Sequence, residues 1–195
     1  TFTSTVILQL MEEGVLTLDD TLDEWLPDVA ATLQYSDQIT VRHLLNHTSG
    51  IFDYLDDETI LQGFIDDEDI RQHEWTSEEM VAVAASHEPN FAPGEEWYYT
   101  NTNYVLLTMI IEVATGKSLV ENYHERIFDP LQLDNTYFAN VEEPIGTLVH
   151  GYSDYLETDG FNTSWLSGAG GIVSNAPDII TFVRPWLSGQ LLNDP

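Results

Sequence analysis

This sequence lacks cysteine and has very few basic residues. It contains no cysteine, and 5 Lys and Arg residues stand against 34 Asp and Glu residues. Without cysteine the chain has neither a disulfide framework nor a thiolate zinc site. The formal net charge of −29 disfavours nucleic acid and anionic membrane surfaces as partners, because phosphate binding needs clustered Lys and Arg. No apolar run reaches the roughly 18 residues of a membrane span, so we expect no span in this segment.

The acidic excess also predicts how the protein depends on salt. With 43% hydrophobic residues the chain has material for a core, so its acidic side chains are expected on the surface of a folded body. Repulsion among them opposes compaction and weakens when salt screens it, as is typical of halophilic proteins. Circular dichroism should therefore show loss of secondary structure on dialysis to low salt. Indifference to salt from about 10 mM to 2 M would instead indicate an acidic protein from ordinary salt.

The first residues bear on domain organisation. A chain of 195 residues suits one large domain, or one domain plus part of another. It begins at Thr1 without Met, and apolar residues from Val6 to Met11 already repeat at helical spacing, with Gly14 placed as the C-cap. We expect this helix to start upstream of Thr1, and residues 1–195 to form one domain that is incomplete at both ends.

Helical patterns dominate the rest of the chain. Asp19 or Asp20 is expected to cap a short helix, and Thr76 with Glu79 forms a capping box. The helices predicted after these signals are Val41–Leu45, Ser77–Ser86, Tyr104–Ala114, Leu119–Phe128 ended by Pro130, and Asp178–Leu187 after Asn175. Short strand-like pieces appear at Thr136–Phe138 and Ile172–Ser174.

The central stretch of the chain runs from Phe91 to Tyr104. It opens with Pro93-Gly94, a pair suited to a tight turn. Tyr99 and Asn101 are two residues apart, so an extended segment would point both side chains to the same side. A phenol beside an amide places a proton-handling group next to a hydrogen-bonding one. The alternative is a tyrosine-rich turn packed under a helix.

Other motifs for nucleophiles, metals and cofactors are weak or absent. Gly-x-Ser-x-Gly and Ser-x-x-Lys do not occur, since Lys117 is the only lysine, and no Walker or dinucleotide motif is present. His43 and His47 are four apart, but the following turn favours a structural role over a metal site. The acidic run 66–69 lacks the pattern of a calcium loop and is interpreted as solvated surface. We therefore expect no metal and no cofactor.

Four segments, in order, resemble one enzyme superfamily. Phe91–Tyr104 resembles a Tyr-x-Asn motif with a Pro-Gly lead-in, and Leu44–Ile51 resembles a His-Thr-Ser-Gly turn. Asp129–Thr136 resembles a Pro-Leu-Gly segment, with Gln132 where Gly is usual, and 168–174 resembles Gly-Gly-Leu-x-Ser. Together they resemble the serine β-lactamase and penicillin-binding-protein superfamily, especially its class C, D-Ala-D-Ala carboxypeptidase and esterase branch.

The resemblance implies an α+β, β-lactamase/transpeptidase-like fold, of which this segment is mainly the helical domain with few strands. It implies a serine hydrolase that forms an acyl-enzyme, with Tyr99 and Asn101 as the site residues of this segment. The family's Ser-x-x-Lys would end at the residue before Thr1, and its third motif would follow Pro195. The segment alone should be inactive.

The resemblance also sets expectations for partners and location. The expected substrate is a small molecule or peptide: a D-Ala-D-Ala peptide, a β-lactam or a small ester, among which Tyr-x-Asn does not choose. Relatives that act on cell-wall peptides are exported, so we expect a periplasmic, cell-surface or extracellular protein. Two alternatives remain open: a non-catalytic binding module of the same fold, and an unrelated acidic helical interaction domain. The sequence leaves the oligomeric state undetermined.

Overall fold

One long helix lies at the centre of the fold. The structure is a computed structural model that describes residues 1–139, 141–151 and 160–192. In chain order the helices are α1 (Phe2–Glu12), α2 (Leu22–Trp25), α3 (Pro27–Ala30), α4 (Val41–Leu45), α5 (Glu58–Asp66), α6 (Glu68–Gln72), α7 (Ser77–Ala85), α8 (Asn101–Thr115), α9 (Leu119–Tyr123), α10 (Asp129–Leu131), α11 (Ser167–Gly170) and α12 (Ala176–Leu187). Single 3-10 turns lie at Tyr54–Asp56 and Ser164–Leu166, and a π turn lies at His124–Phe128.

Helix α8 forms the core because it is apolar on nearly every side. Its N-terminus is capped by Thr100, whose hydroxyl accepts the Thr102 N–H, and it ends where Gly116 takes a left-handed φ of 68°. Leu106, Ile110 and their apolar neighbours are fully buried, and α1, α4, α7 and α11 all pack against the helix. Each such side chain stabilises the fold by roughly 1.5–3 kcal/mol.

Helix length and hydropathy bear on the expectation that the segment carries no membrane span. Within residues 1–139, 141–151 and 160–192, none of the helices is by itself long and apolar enough to cross a bilayer. Helix α8 and the stretch Leu119–Leu131 meet that condition only as a pair, across a bend of 80°.

Among the described residues there is one small sheet, of two strands. Strands β1 (Tyr137–Phe138) and β2 (Ile172–Val173) pair antiparallel, in the two places where the sequence predicts strands. The glycines before β2 allow close packing, since a Cβ on Gly168 would lie 2.1 Å from a hydroxyl of α8 and one on Gly171 would lie 2.8 Å from a Phe138 ring carbon. The mainly helical character with few strands is confirmed. The sequence from Leu133 to Tyr155 has no regular helical pattern, and of that stretch positions 140 and 152–155 lie outside the described residues.

The cap of α2 and the helix end predicted at Pro130 are wrong. The cap of α2 is Thr21, which forms a capping box with Glu24, whereas Asp20 accepts hydrogen bonds from Thr17 and Trp25. Pro130 does not end its helix, because the π turn before it shifts the backbone bonding and Pro130 lies in the first turn of α10. Proline is tolerated there, since its missing N–H has no helical partner to lose.

His124 links this π turn to the segment after β1. Its ring nitrogens contact two carboxylates, Asp129 at 3.1 Å and Glu142 at 2.7 Å. Burial alone would lower the pKa of His124, but the two carboxylates outweigh burial and raise it above its usual value. A raised pKa contributes stability that is fully present below the unfolded-state pKa and is lost as pH rises through the folded-state pKa.

His124→Gln should therefore destabilise the protein at low pH and much less at high pH. The loss near pH 6 should be about 1 kcal/mol, because the groups are partly exposed, and it should shrink near pH 9. Thermal denaturation of the two proteins at both pH values measures this difference. His73→Gln, which removes an exposed ion pair with Glu79, is the control. A loss from His124→Gln that is equal at both pH values contradicts the ionic role.

Candidate active site

Two motifs about fifty residues apart in sequence lie side by side in the fold. The Gly94 N–H donates to the Thr48 carbonyl oxygen at 2.8 Å, and the Tyr98 N–H donates to the His47 carbonyl oxygen at 3.1 Å. The Pro-Gly turn and the His-Thr-Ser-Gly turn are thus joined by backbone hydrogen bonds. This pairing fixes the path of the chain just before Tyr99.

Gly50 allows the two turns to approach each other. Its φ is +76°, a left-handed value that favours glycine. A Cβ built on Gly50 would lie 1.9 Å from the Phe91 carbonyl oxygen, and the Gly50 carbonyl oxygen accepts the Asn90 N–H at 2.7 Å. No side chain fits between these backbones.

Tyr99 and Asn101 contact each other at the start of α8. The Tyr99 hydroxyl donates to Oδ1 of Asn101 at 3.3 Å, and 49% of Tyr99 is exposed. Helix α8 begins three residues earlier than the sequence predicts, so Asn101 is its first residue and only Thr100 between them is extended. The two predicted site residues are therefore brought together by a junction between extended chain and helix.

Asp53 lies beneath this pair, and sequence reasoning missed it. The residue is only 5% exposed. Its Oδ2 accepts the Asn101 backbone N–H at 2.9 Å and the Asn101 side-chain N–H at 2.7 Å. The one sequence signal is a single acid inside the apolar run 51–55, where an acid is unexpected unless it is hydrogen bonded.

The His47 ring packs against the Tyr99 ring. It lies 4.5 Å from the Tyr99 ring and 5.3 Å from the Tyr104 ring, centroid to centroid. Nδ1 accepts the Thr100 N–H at 3.3 Å, which requires that nitrogen to be unprotonated. Burial lowers the pKa of His47, although the nearby Asp53 charge opposes the shift. His47 is thus a neutral packing residue, while the His43 ring accepts the Thr40 N–H at the cap of α4.

Helix α1 packs against α8, which contains Tyr104. The Tyr104 ring stacks on the His47 ring, which also contacts the Tyr99 ring. A separate cavity of about 320 Å³ lies between Thr1–Thr3 and the glycine segment 168–171. Its lining includes neither Tyr99 nor Asn101, which face an open surface.

Two neighbouring tyrosines differ in their surroundings. The Tyr98 hydroxyl donates to the Asp56 carboxylate at 2.9 Å, and that bond raises the pKa of Tyr98 above its usual value. Tyr98 therefore keeps its proton, whereas the Tyr99 hydroxyl contacts only a neutral amide oxygen among the bonds described. The two phenols thus differ in their acceptor, a carboxylate for Tyr98 and an amide oxygen for Tyr99.

Known proteins resemble this chain in sequence and in fold. The family model described as Beta-lactamase matches residues 1–195. Penicillin-binding protein 4* of Bacillus subtilis (strain 168) is 36% identical over 143 residues, which are 71% of this chain and 29% of that protein. The chain thus spans less than a third of that relative's length.

Solved structures agree along almost the whole chain. A D-stereospecific amidohydrolase from Streptomyces sp. has a TM-score of 0.92 and 38% identity over 98% of this chain and 59% of its own. The D-amino acid amidase from Ochrobactrum anthropi SV3 has a TM-score of 0.83 and 34% identity over 98% of this chain and 55% of its own. The predicted resemblance and the β-lactamase/transpeptidase-like fold are confirmed, and the chain belongs to the beta-lactamase family.

Proposed function

We propose that the natural protein containing this segment is a serine hydrolase that works through an acyl-enzyme. The observation that carries the proposal is the half-exposed Tyr99 phenol held against the Asn101 amide. Tyr99 is assigned the proton transfer, and Asn101 is assigned the hydrogen bonds that orient substrate and lysine. Membership of the beta-lactamase family supports both roles.

In this mechanism a serine hydroxyl attacks the substrate carbonyl carbon. A serine hydroxyl is a weak nucleophile and needs a neighbouring base. Tyr99, as tyrosinate stabilised by a lysine ammonium, takes the serine proton and passes it to the leaving group as the bond to that group breaks. Water then attacks the acyl-enzyme ester, the acid is released, and one proton of that water passes to the serine oxygen. We place the Ser-x-x-Lys directly before Thr1, at the start of α1, which packs against α8.

The bond to be cleaved is proposed to be an amide of a D-amino acid. The two similar structures are named a D-stereospecific amidohydrolase, from Streptomyces sp., and a D-amino acid amidase, from Ochrobactrum anthropi SV3. D-Ala-D-Ala peptides, β-lactams and small esters react through the same kind of acyl-enzyme and remain the other candidates.

We place the natural protein outside the cytoplasm, at the cell surface or beyond it. Residues 1–195 alone should not acylate.

A test on the full-length protein compares amides of opposite chirality. D- and L-phenylalanine amide, a D-Ala-D-Ala peptide, a β-lactam and a nitrophenyl ester are offered separately, and product and intact protein mass are measured. We expect faster hydrolysis of the D-amide than of the L-amide, and a transient mass increase that matches the acyl group. A protein that turns over none of these compounds and never gains mass is better described as the non-catalytic binding module.

A further inference from the structure

The two oxygens of the buried Asp53 carboxylate have different partners. Oδ1 accepts the Leu55 N–H at 3.1 Å and closes the turn that leads into Tyr54–Asp56. Oδ2 accepts two hydrogen bonds from Asn101, one from its backbone N–H and one from its side-chain NH₂ group. Within residues 1–139, 141–151 and 160–192, no ion pair includes Asp53. One oxygen thus serves the local turn and the other serves only Asn101.

This contact decides which way the Asn101 amide faces. An ionised carboxylate oxygen only accepts hydrogen bonds, so the Asn101 NH₂ group must point toward Asp53. The carbonyl oxygen of the planar amide then points away, to where the Tyr99 hydroxyl meets it at 3.3 Å. A flipped amide would oppose two acceptors at Asp53 and lose the side-chain bond of 2.7 Å.

We propose that Asp53 is a positioning residue that holds Asn101 with its amide oxygen toward Tyr99. The inference rests on the function proposed above, since it concerns the same site. Asp53 acts through Asn101 and does not touch the substrate. One Nδ2 hydrogen is held by Asp53, and the second remains for a ligand. The Asn101 amide thus offers an acceptor to the Tyr99 hydroxyl while that phenol is protonated, and a donor to the substrate.

A role limited to holding the turn would use only Oδ1. That role does not explain why Oδ2 accepts two hydrogen bonds from Asn101, which is 48 residues away in sequence and begins helix α8. Hydrogen bonds to a charged carboxylate are about twice as strong as hydrogen bonds between neutral groups. Asp53 thus fixes one side chain of the site more firmly than a neutral acceptor would.

Removal of the Asp53 charge should also change the pH dependence of the reaction. The titratable groups that face Asp53 are His47, Tyr54 and Tyr98, with Tyr99 two hydrogen bonds away through Asn101. A negative charge disfavours ionisation of a neighbouring phenol. Its loss should therefore move the acidic limb of the kcat/KM profile to lower pH.

Asp53→Asn in the full-length protein tests the proposal. Asn offers one acceptor oxygen and one NH₂ group, so it cannot satisfy both Leu55 and Asn101. We expect kcat to fall about 10- to 100-fold, KM to change less than about threefold, and the acidic limb to shift as stated. Asp56→Asn, which removes the exposed partner of the Tyr98 hydroxyl, is the matched control and should keep kcat within about threefold.

Three outcomes overturn the proposal. The first is an Asp53→Asn variant as active as the natural protein. The second is an activity that falls only in proportion to the folded fraction, with an unchanged pH profile. The third is a neutron structure of the natural protein in which the Asn101 amide oxygen, not its NH₂ group, faces Asp53. The neutron structure decides the orientation even if Asp53→Asn does not fold, or if the natural protein hydrolyses none of the substrates, which is how failure of the proposed function would appear.

Discussion

Tyr99→Phe in the full-length protein should lower kcat by about 10²- to 10⁴-fold, the usual contribution of a positioned general acid–base group. The substitution removes only the hydroxyl, so the ring should still pack on His47 at a centroid distance near 4.5 Å. Because binding of the substrate does not depend on that proton, KM should change less than about threefold. Steady-state kinetics with the D-amino acid amide measures both values.

Tyr98→Phe is the matched control for this prediction. It deletes the neighbouring phenol hydroxyl, whose proton is held by Asp56, and should leave kcat within about threefold. If Tyr98→Phe costs as much as Tyr99→Phe, the assignment of the proton transfer to Tyr99 fails. If neither matters, the Tyr-x-Asn motif is structural in this protein.

Gly50→Ala should destabilise the protein by about 3–5 kcal/mol. The left-handed φ of +76° costs an alanine roughly 1–2 kcal/mol. The larger part comes from the Phe91 carbonyl oxygen, 1.9 Å from the new Cβ, because backbone cannot rotate away as a side chain can. The two turns must separate, which also breaks the hydrogen bond between Asn90 and Gly50. Urea denaturation at fixed salt measures the loss.

Gly14→Ala separates the two causes. Gly14 has nearly the same φ, +72°, but a Cβ there meets nothing within 4 Å. Its substitution should cost only the conformational term, roughly 1–2 kcal/mol. Equal losses at the two positions would show that backbone conformation alone matters, and that the approach of Phe91 to Gly50 is looser than described.

The sequence predicted those features of the site that depend on local chemistry. The spacing of two predicted that Tyr99 and Asn101 lie on one side of an extended segment, whereas the structure joins them where extended chain meets helix α8. Pro93-Gly94 predicted the turn before them. The turn beginning at His47 was predicted from its own residues and from its resemblance to a family motif, but its contact with Tyr99 was not predicted. What was missed depends on tertiary contacts: Asp53 is an ordinary acid in a chain of 34 acidic residues until the fold buries it beneath Asn101.

The fold shows the same division between local and distant causes. Helix α4 matches its predicted bounds, since Thr40 caps it through the His43 N–H. The cap of α2 was misplaced because several residues in that acidic, threonine-containing stretch are all good caps, and only backbone geometry selects Thr21. Helix α8 begins earlier than predicted because Thr100 caps it. The prediction started the helix only where the apolar pattern begins.

The most direct test of the account is to locate the acyl group on the full-length protein. The protein is mixed briefly with a slowly released acyl donor, quenched in acid, digested and mapped by mass spectrometry, with Tyr99→Phe treated in parallel. The account predicts one acylated serine, three residues before a lysine that directly precedes Thr1, and much slower labelling in Tyr99→Phe. Turnover of substrate with the acyl group on another residue, or with none, or labelling at the same rate in Tyr99→Phe, would contradict it.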